Sequence, residues 1–277
     1  MKKIILLAVA AYFIISCDAQ QLTTPQPSPT ANIKQNFALS NIEISYSRPG
    51  VKGRKIFGDL VPYGKVWRTG ANNATTITFG EEVTIGGKKV AAGKYGLLTI
   101  PNASEWTFII SKQTDVTSPA DYKQDQDVVR VTAKPETLPF PIETMMISID
   151  NIKSNSCDIG VIWDNIYVGF PVTSDVDSKV MEQIKNSMER DNRPYFGAAF
   201  YYIENNKDLN KAVEWLDKAY AQNPDGFWIL YQKARALKML GKKSDAMTVS
   251  NKSIEIAKKA KNDDYVKLNE DLQKTLK

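Results

Sequence analysis

The chain has 277 residues, a formal charge of +5 and no histidine. The missing histidine removes Ser-His-Asp and Cys-His catalysis, and with them most zinc and non-haem iron sites. A charge this mild does not call for a nucleic-acid partner, and nothing in the composition asks for a cofactor.

Residues 1–19 read as an export signal. Lys2 and Lys3 form a positive start, and Ile4 to Ile15 form an apolar run too short to span a bilayer comfortably. Two endings compete. Ile14-Ile15-Ser16-Cys17 resembles a bacterial lipobox, with small Ser16 before a cysteine that would be acylated. Alternatively, a general signal peptidase cuts after Ala19. Either ending predicts an exported protein, periplasmic or lipid-anchored to the cell envelope, touching the membrane through a lipid anchor only. Residues 20–32 follow as a linker. Pro25, Pro27 and Pro29 alternate with small or polar residues there, which favours an extended spacer.

Residues 33–175 show β periodicity. Ile42 to Tyr46 and Thr75 to Phe79 alternate. Val83-Thr84-Ile85 meets Gly86-Gly87, a loop suited to a type I′ turn, and Lys88-Lys89-Val90 returns. Lys94 to Ile100, Trp106 to Ser111, Val128 to Ala133, Met145 to Ile152, Cys157 to Trp163 and Ile166 to Pro171 complete a set of about nine short strands. This spacing predicts an antiparallel β-sandwich. Asp164-Asn165 reads as a turn between the last two strands. Cys157 reads as a small buried hydrophobe, with no partner for a disulfide once Cys17 is lipidated or removed.

Between the first two predicted strands lie two basic loops punctuated by glycine and proline. Arg48, Lys52, Arg54, Lys55, Lys65 and Arg68 face a single acid, Asp59, with Phe57, Tyr63 and Trp67 among them. A guanidinium makes paired hydrogen bonds to carboxylate or phosphate, and a flat indole or phenol suits a sugar face or a stacked arginine. The candidate ligand-binding residues are Arg48, Arg54, Tyr63, Trp67, Arg68 and Asn72, for an anionic or glycan ligand. The competing reading is that Arg48 and Arg68 pair with Asp59 and loop carbonyls and so hold the loops. Carboxylate chemistry survives without histidine, and Glu43, Asp59 and Asp164 are its candidates for a hydrolase acting on envelope glycans. Asp121, Asp125 and Asp127 lack the central glycine and closing glutamate of a calcium loop.

Residues 176–277 switch to helical period. Ala212 and Ala246 lie 34 residues apart, as do Phe200 and Ala234, and Pro194 and Trp228. Ala212, Leu216, Ala219 and Pro224 have the offsets of a tetratricopeptide repeat's second helix and closing proline, so the segment resembles that family. Ser250 and Ser253 stand where a bulky residue and an alanine are expected. Val176 to Asp191 and Asp263 to Lys277 read as flanking helices. Two units are fewer than the roughly three that a free solenoid needs. The helices are therefore expected to pack on the β-domain or on a protein partner. Trp215, Phe227, Trp228 and Tyr231 read as core or, alternatively, as a peptide groove.

The strings Ser47-Arg48-Pro49-Gly50, Gly53-Arg54, Pro62-Tyr63-Gly64, Val66 to Asn72 and Gly93 to Leu97 carry a further resemblance. From about Ala38 to Pro171 the chain resembles the family known as domain of unknown function 2911, common in exported proteins of Gram-negative bacteria. It departs at Asn73, where that family usually carries glutamate. The resemblance implies a fold neighbourhood and no reaction. The combined expectation is an α+β multidomain protein that binds and scaffolds rather than catalyses.

Overall fold

The computed structural model describes residues 24–189 and 193–276. The expected export signal, with Cys17 and Ala19, and the first residues of the expected 20–32 linker lie outside the described residues. The chain is mixed α+β and divides at Ser174/Asp175 into two compact units, antiparallel sheets first and helices second.

The first unit holds ten strands among the described residues: β1 (Thr30–Phe37), β2 (Ser40–Ser47), β3 (Thr76–Phe79), β4 (Val83–Ile85), β5 (Lys88–Val90), β6 (Gly93–Ile100), β7 (Trp106–Ser111), β8 (Asp127–Ala133), β9 (Glu136–Asp150) and β10 (Ser156–Thr173). Six form one sheet in the order β1-β2-β3-β6-β7-β8, and four form another in the order β5-β4-β10-β9. Alternation explains the strands. On β2, Ile42, Ile44 and Tyr46 are buried while Glu43 and Ser45 are less so. Gly86 and Gly87 both take positive φ, 55° and 77°, as a type I′ hairpin needs. Side chains from both sheets share one apolar core, including Ile77 and Phe108 from the larger and Ile159 and Phe170 from the smaller. The Tyr46 hydroxyl ties them together, accepting a hydrogen bond at 3.0 Å from the Ile147 amide on β9.

Two corrections concern strands. β1 occupies residues that the sequence reading divided between the linker and the start of the β-domain, where no strand was expected before Ile42. β10 is continuous, with register shifts between Ile162 and Asp164 and between Asp164 and Ile166, where a turn was expected. Asp164 adopts φ 53° inside that irregularity. Aspartate tolerates this conformation, so the chain bulges and stays in the sheet.

The two basic loops are fastened to strands. Arg48 to Lys52 runs beside β9: the Met145 amide donates to the Pro49 carbonyl at 2.9 Å and the Val51 amide to the Glu143 carbonyl at 2.8 Å. Trp67 exchanges two backbone bonds with Thr99 on β6, at 2.7 and 2.9 Å. Val66 packs with Leu98, Ile109 and Val116 in a small second cluster, while Trp67 packs against the main core. Adjacent residues are thus pinned to different apolar groups.

The second unit contains α1 (Val176–Met188), α2 (Tyr195–Glu204), α3 (Leu209–Gln222), α4 (Phe227–Met239), α5 (Lys243–Lys259) and α6 (Asp263–Lys274). Asp175, Asp208 and Asn262 cap α1, α3 and α6 by accepting from backbone amides at 3.2, 3.0 and 3.1 Å. On α3 the buried positions are Ala212, Trp215, Leu216 and Ala219, the stripe a packed helix shows. Trp215 lies edge-on to Tyr202, and Trp228 packs against the same cluster, so both tryptophans serve the unit's own core.

Candidate functional site

The basic loops enclose a cavity of about 410 Å³ in the first unit. Its lining comes from Pro49 and Arg54 of the first loop, Leu60 to Pro62, Lys65 to Arg68, Gly70 and Ala71 of the second, the segment Val116 to Pro119, and Ser28 and Trp163. Trp163 belongs to the bulged part of β10, and a bulge of this kind re-aims a side chain. Trp67 and Trp163 stack with ring centroids 5.9 Å apart and planes 19° from parallel. Phe57 meets both edge-on and touches Trp106, so the stack rests on fixed rings.

Three cations line the cavity, Arg54, Lys65 and Arg68, and among the described residues its lining includes no aspartate or glutamate. The Arg68 Nη1 donates to the Thr117 carbonyl at 2.5 Å, while its Nε is buried without an acceptor. Trp163 is only 1 % exposed, and its indole Nε1 likewise has no acceptor. Arg54 turns back on its own loop, donating to the Val51 and Gly50 carbonyls at 3.0 and 2.6 Å. The Trp67 Nε1 donates to the Gly70 carbonyl at 3.0 Å.

Of the six candidate residues, the structure brings Arg54, Trp67 and Arg68 to this cavity. The other three face elsewhere. Arg48 donates to the Met145 carbonyl at 2.9 Å and stitches its loop to β9. Tyr63 is exposed and covers Gly58. The Asn72 side chain donates to the Ser28 carbonyl at 3.1 Å. Arg48 and Arg68, the two arginines of the loop-holding reading, do donate to carbonyls, as Arg54 also does, while Asp59 lies on an exposed turn and forms no ion pair with any of the three. Trp163 and Val116 to Pro119 escaped the sequence reading as lining, because only the fold carries them to the loops. An isolated tryptophan ahead of a bulge-forming Asp164 was the one local signal.

The acids are dispersed. Glu43 pairs with Lys34 across β1 and β2 at 2.7 Å, Asp164 sits in the β10 bulge, and neither these nor Asp59 lines the cavity. Asp127 instead accepts from Tyr122 at 2.6 Å and from Arg130 at 2.7 Å. Burial, then the bond to Asp127, pushes the Tyr122 phenol up to about 12. Asp121 accepts from the Ser118 amide at 3.2 Å and fixes the turn that carries the cavity's Val116 to Pro119 wall. Burial, with Asp158 adding to it, pushes the Cys157 thiol up to about 12, which suits an inert core position.

Backbone strain sits beside the cavity. Thr69, fully buried, holds φ 54°. Its hydroxyl shares a 3.1 Å hydrogen bond with that of Thr99, and its carbonyl accepts from the Thr75 hydroxyl at 2.8 Å. A β-branched residue in this region costs about 1–3 kcal/mol and persists only where its surroundings over-determine it.

Comparison with known proteins adds one match. A family model described as "Protein of unknown function (DUF2911)" covers residues 28–172, a little over half of the chain and nearly all of the first unit's strands. No curated protein and no solved structure matches the chain.

Proposed function

The chain belongs to that DUF2911 family, whose description assigns no reaction, and on this premise we propose an exported, lipid-anchored, non-enzymatic binding and scaffold protein. The observation that carries the binding role is the cavity of about 410 Å³, with Arg54, Lys65, Arg68 and the Trp67–Trp163 stack in its lining and no carboxylate among its described residues. Its size and its apolar walls with few convergent polar groups suit a small ligand, anionic or glycan. The two sheets, sharing one core, are read as a β-sandwich.

The helices are read as tetratricopeptide-like hairpins that dock a protein partner. Ala212 and Ala246, one repeat length apart in sequence, are both fully buried, which supports the repeat. Phe196 and Phe200 stack on α2 with ring centroids 6.3 Å apart, and Phe200 is 40 % exposed, which is the apolar surface the docking reading uses. The N-terminal signal, Cys17 and the proline-rich linker support export and anchoring. A carboxylate-dependent hydrolase acting on envelope glycans ranks below this reading, because none of its candidate acids lines the cavity.

The binding role is tested by screening small acids and sugars for a rise in melting temperature, which a ligand selective for the native state must produce. Wild type is expected to respond and an Arg54→Ala/Arg68→Ala variant to lose that response. Equal response in both would reject the cavity as the site. Anchoring is tested separately: Cys17→Ala should move the protein from the membrane to the soluble fraction, and unchanged partitioning would reject lipidation.

A further inference from the structure

We infer that the cavity takes a small organic acid, a single carboxylate joined to an apolar body, and discriminates against neutral sugars. The inference rests on the reading of the cavity as a binding site and narrows the ligand to one class.

The polar groups of the lining are unbalanced. Arg54, Lys65, Arg68 and the Trp163 indole can donate hydrogen bonds and cannot accept them. Two of these donors, Arg68 Nε and Trp163 Nε1, are buried without a partner. A buried donor left unpaired costs free energy that an acceptor on a ligand recovers where the side chains over the donor shift to admit it. Side-chain acceptors are scarce. Among the described residues the lining has no carboxylate and no side-chain amide. Its side-chain acceptors are three hydroxyls: Ser28, Thr117, which donates its proton to Asp121 at 3.5 Å, and Ser118, which already accepts from the Ala120 amide at 3.3 Å. The Thr117 carbonyl is taken by Arg68. A sugar brings several hydroxyl donors to these few acceptors and no charge, so it would leave the three cations without a counter-charge. A carboxylate only accepts.

The arginine supplies the geometry. Nη1 of Arg68 is held by the Thr117 carbonyl, which leaves Nε and Nη2 free of hydrogen bonds among the described residues. Those two atoms form the fork that takes a carboxylate side-on with two parallel bonds, and because Nε is covered the ligand must displace the atoms over it to complete the pair. Leu60, Val66, Val116, Pro119 and the Trp67–Trp163 stack supply apolar wall around it. This combination favours one negative charge. A dianion such as phosphate would lose more hydration against these walls than the one fork and the Lys65 ammonium return.

The test titrates the full-length protein with benzoate, benzyl alcohol, inorganic phosphate and N-acetylglucosamine, read by calorimetry and tryptophan fluorescence. Benzoate is expected to bind about tenfold or more tightly than benzyl alcohol, which keeps the ring and removes the charge. Arg68→Gln should remove that advantage and leave benzyl alcohol unchanged. Arg68→Lys keeps the charge without the fork and should behave like Arg68→Gln. Trp163→Phe keeps the ring without the N–H and should weaken benzoate by about three- to tenfold; should it melt early, the Arg68 pair still decides. Tighter binding of phosphate or of N-acetylglucosamine than of benzoate, sensitive to Arg68→Gln, would overturn the carboxylate class and keep the site. Equal affinity for benzoate and benzyl alcohol would do the same. No binding of any probe up to about 10 mM would overturn both the class and the cavity reading.

Discussion

A methyl group added at Gly96 would sit 2.0 Å from the Gln113 carbonyl oxygen. That oxygen is backbone and cannot rotate away, so the strand and the segment after β7 must separate. Gly96→Ala is expected to destabilise the first unit by about 2 kcal/mol or more, seen as a drop of several degrees in its melt. Gly197 on α2 is the counter-case, since its added methyl meets nothing within 4 Å. Gly197→Ala should stabilise the helical unit by about 0.5–1 kcal/mol. A neutral Gly96→Ala would mean that the Gln113 segment is not held as described.

Cys157 gives a pH prediction at the same scale. Its folded thiol is raised from the ordinary 9.0 to about 12 by burial first and by Asp158 second. The unfolded thiol therefore ionises first as pH rises, and the unfolded state is favoured. The stabilising contribution is complete below about pH 9 and is lost progressively between about pH 9 and pH 12. Denaturant midpoints should fall across that window, and less steeply in Cys157→Ala. At pH 8 the thiol, mapped by mass spectrometry, should resist alkylation until the protein unfolds. Rapid native-state alkylation of Cys157 would contradict its burial.

At the scale of elements, α5 and α6 meet through a buried polar chain. The Ser250 hydroxyl donates to the Asn269 carbonyl oxygen at 2.9 Å, and the Asn269 amide donates to Ser253 at 2.9 Å. Ser253 in turn donates to the Phe227 carbonyl of α4 at 2.7 Å. The serines that looked like degenerate repeat positions are matched by an asparagine on the next helix. A sequence scan of one unit has no way to pair them, because their partner lies outside it. Asn269→Ala removes one hydrogen bond from each serine, leaving Ser253 the Phe227 carbonyl and Ser250 the Gln273 amide, and should cost the helical unit about 1–3 kcal/mol. Replacing all three, with Ser250→Ala, Ser253→Ala and Asn269→Leu, should recover most of that in a urea titration followed by helix signal. Recovery absent from the triple variant would place the cost in lost packing instead.

The same logic separates what was legible from what was not. β2, β4, β5, β6 and β7 were legible because their alternating or compact apolar runs are bounded by turn residues. β1 was missed because it is an edge strand with few apolar residues, Ala31, Ile33 and Phe37, in a polar run that follows the prolines. The first half of β9 was missed because Pro139 and Pro141 argue against a strand. It is an edge, paired on one side by β10, where proline is tolerated. At the site, the loop arginines and Trp67 were legible as clustered residue types. Their division into cavity-lining Arg54 and Arg68 and strand-stitching Arg48 depended on β9 arriving beside the first loop, a long-range pairing that local sequence does not encode.

For the whole molecule, each unit closes a core of its own. The apolar cluster of the sheets is built from residues between Phe37 and Val172, and the main helical cluster from residues between Ala198 and Ala236. The cavity follows this division, since its lining begins at Ser28 and ends at Trp163. The polar contacts that shape it are likewise local to the first unit: Arg68 to Thr117, Trp67 to Gly70, and Arg54 to Gly50. If binding is a property of that lining, the helices are dispensable for it. Residues 24–174 expressed alone should melt cooperatively and bind benzoate within about twofold of the full chain, since a separable site loses no contact on truncation. Arg68→Gln should weaken the fragment and the full chain by the same factor. A folded fragment that binds about tenfold more weakly would show that the helical unit contributes to the site, and the assignment of binding to the sheets alone would have to be given up.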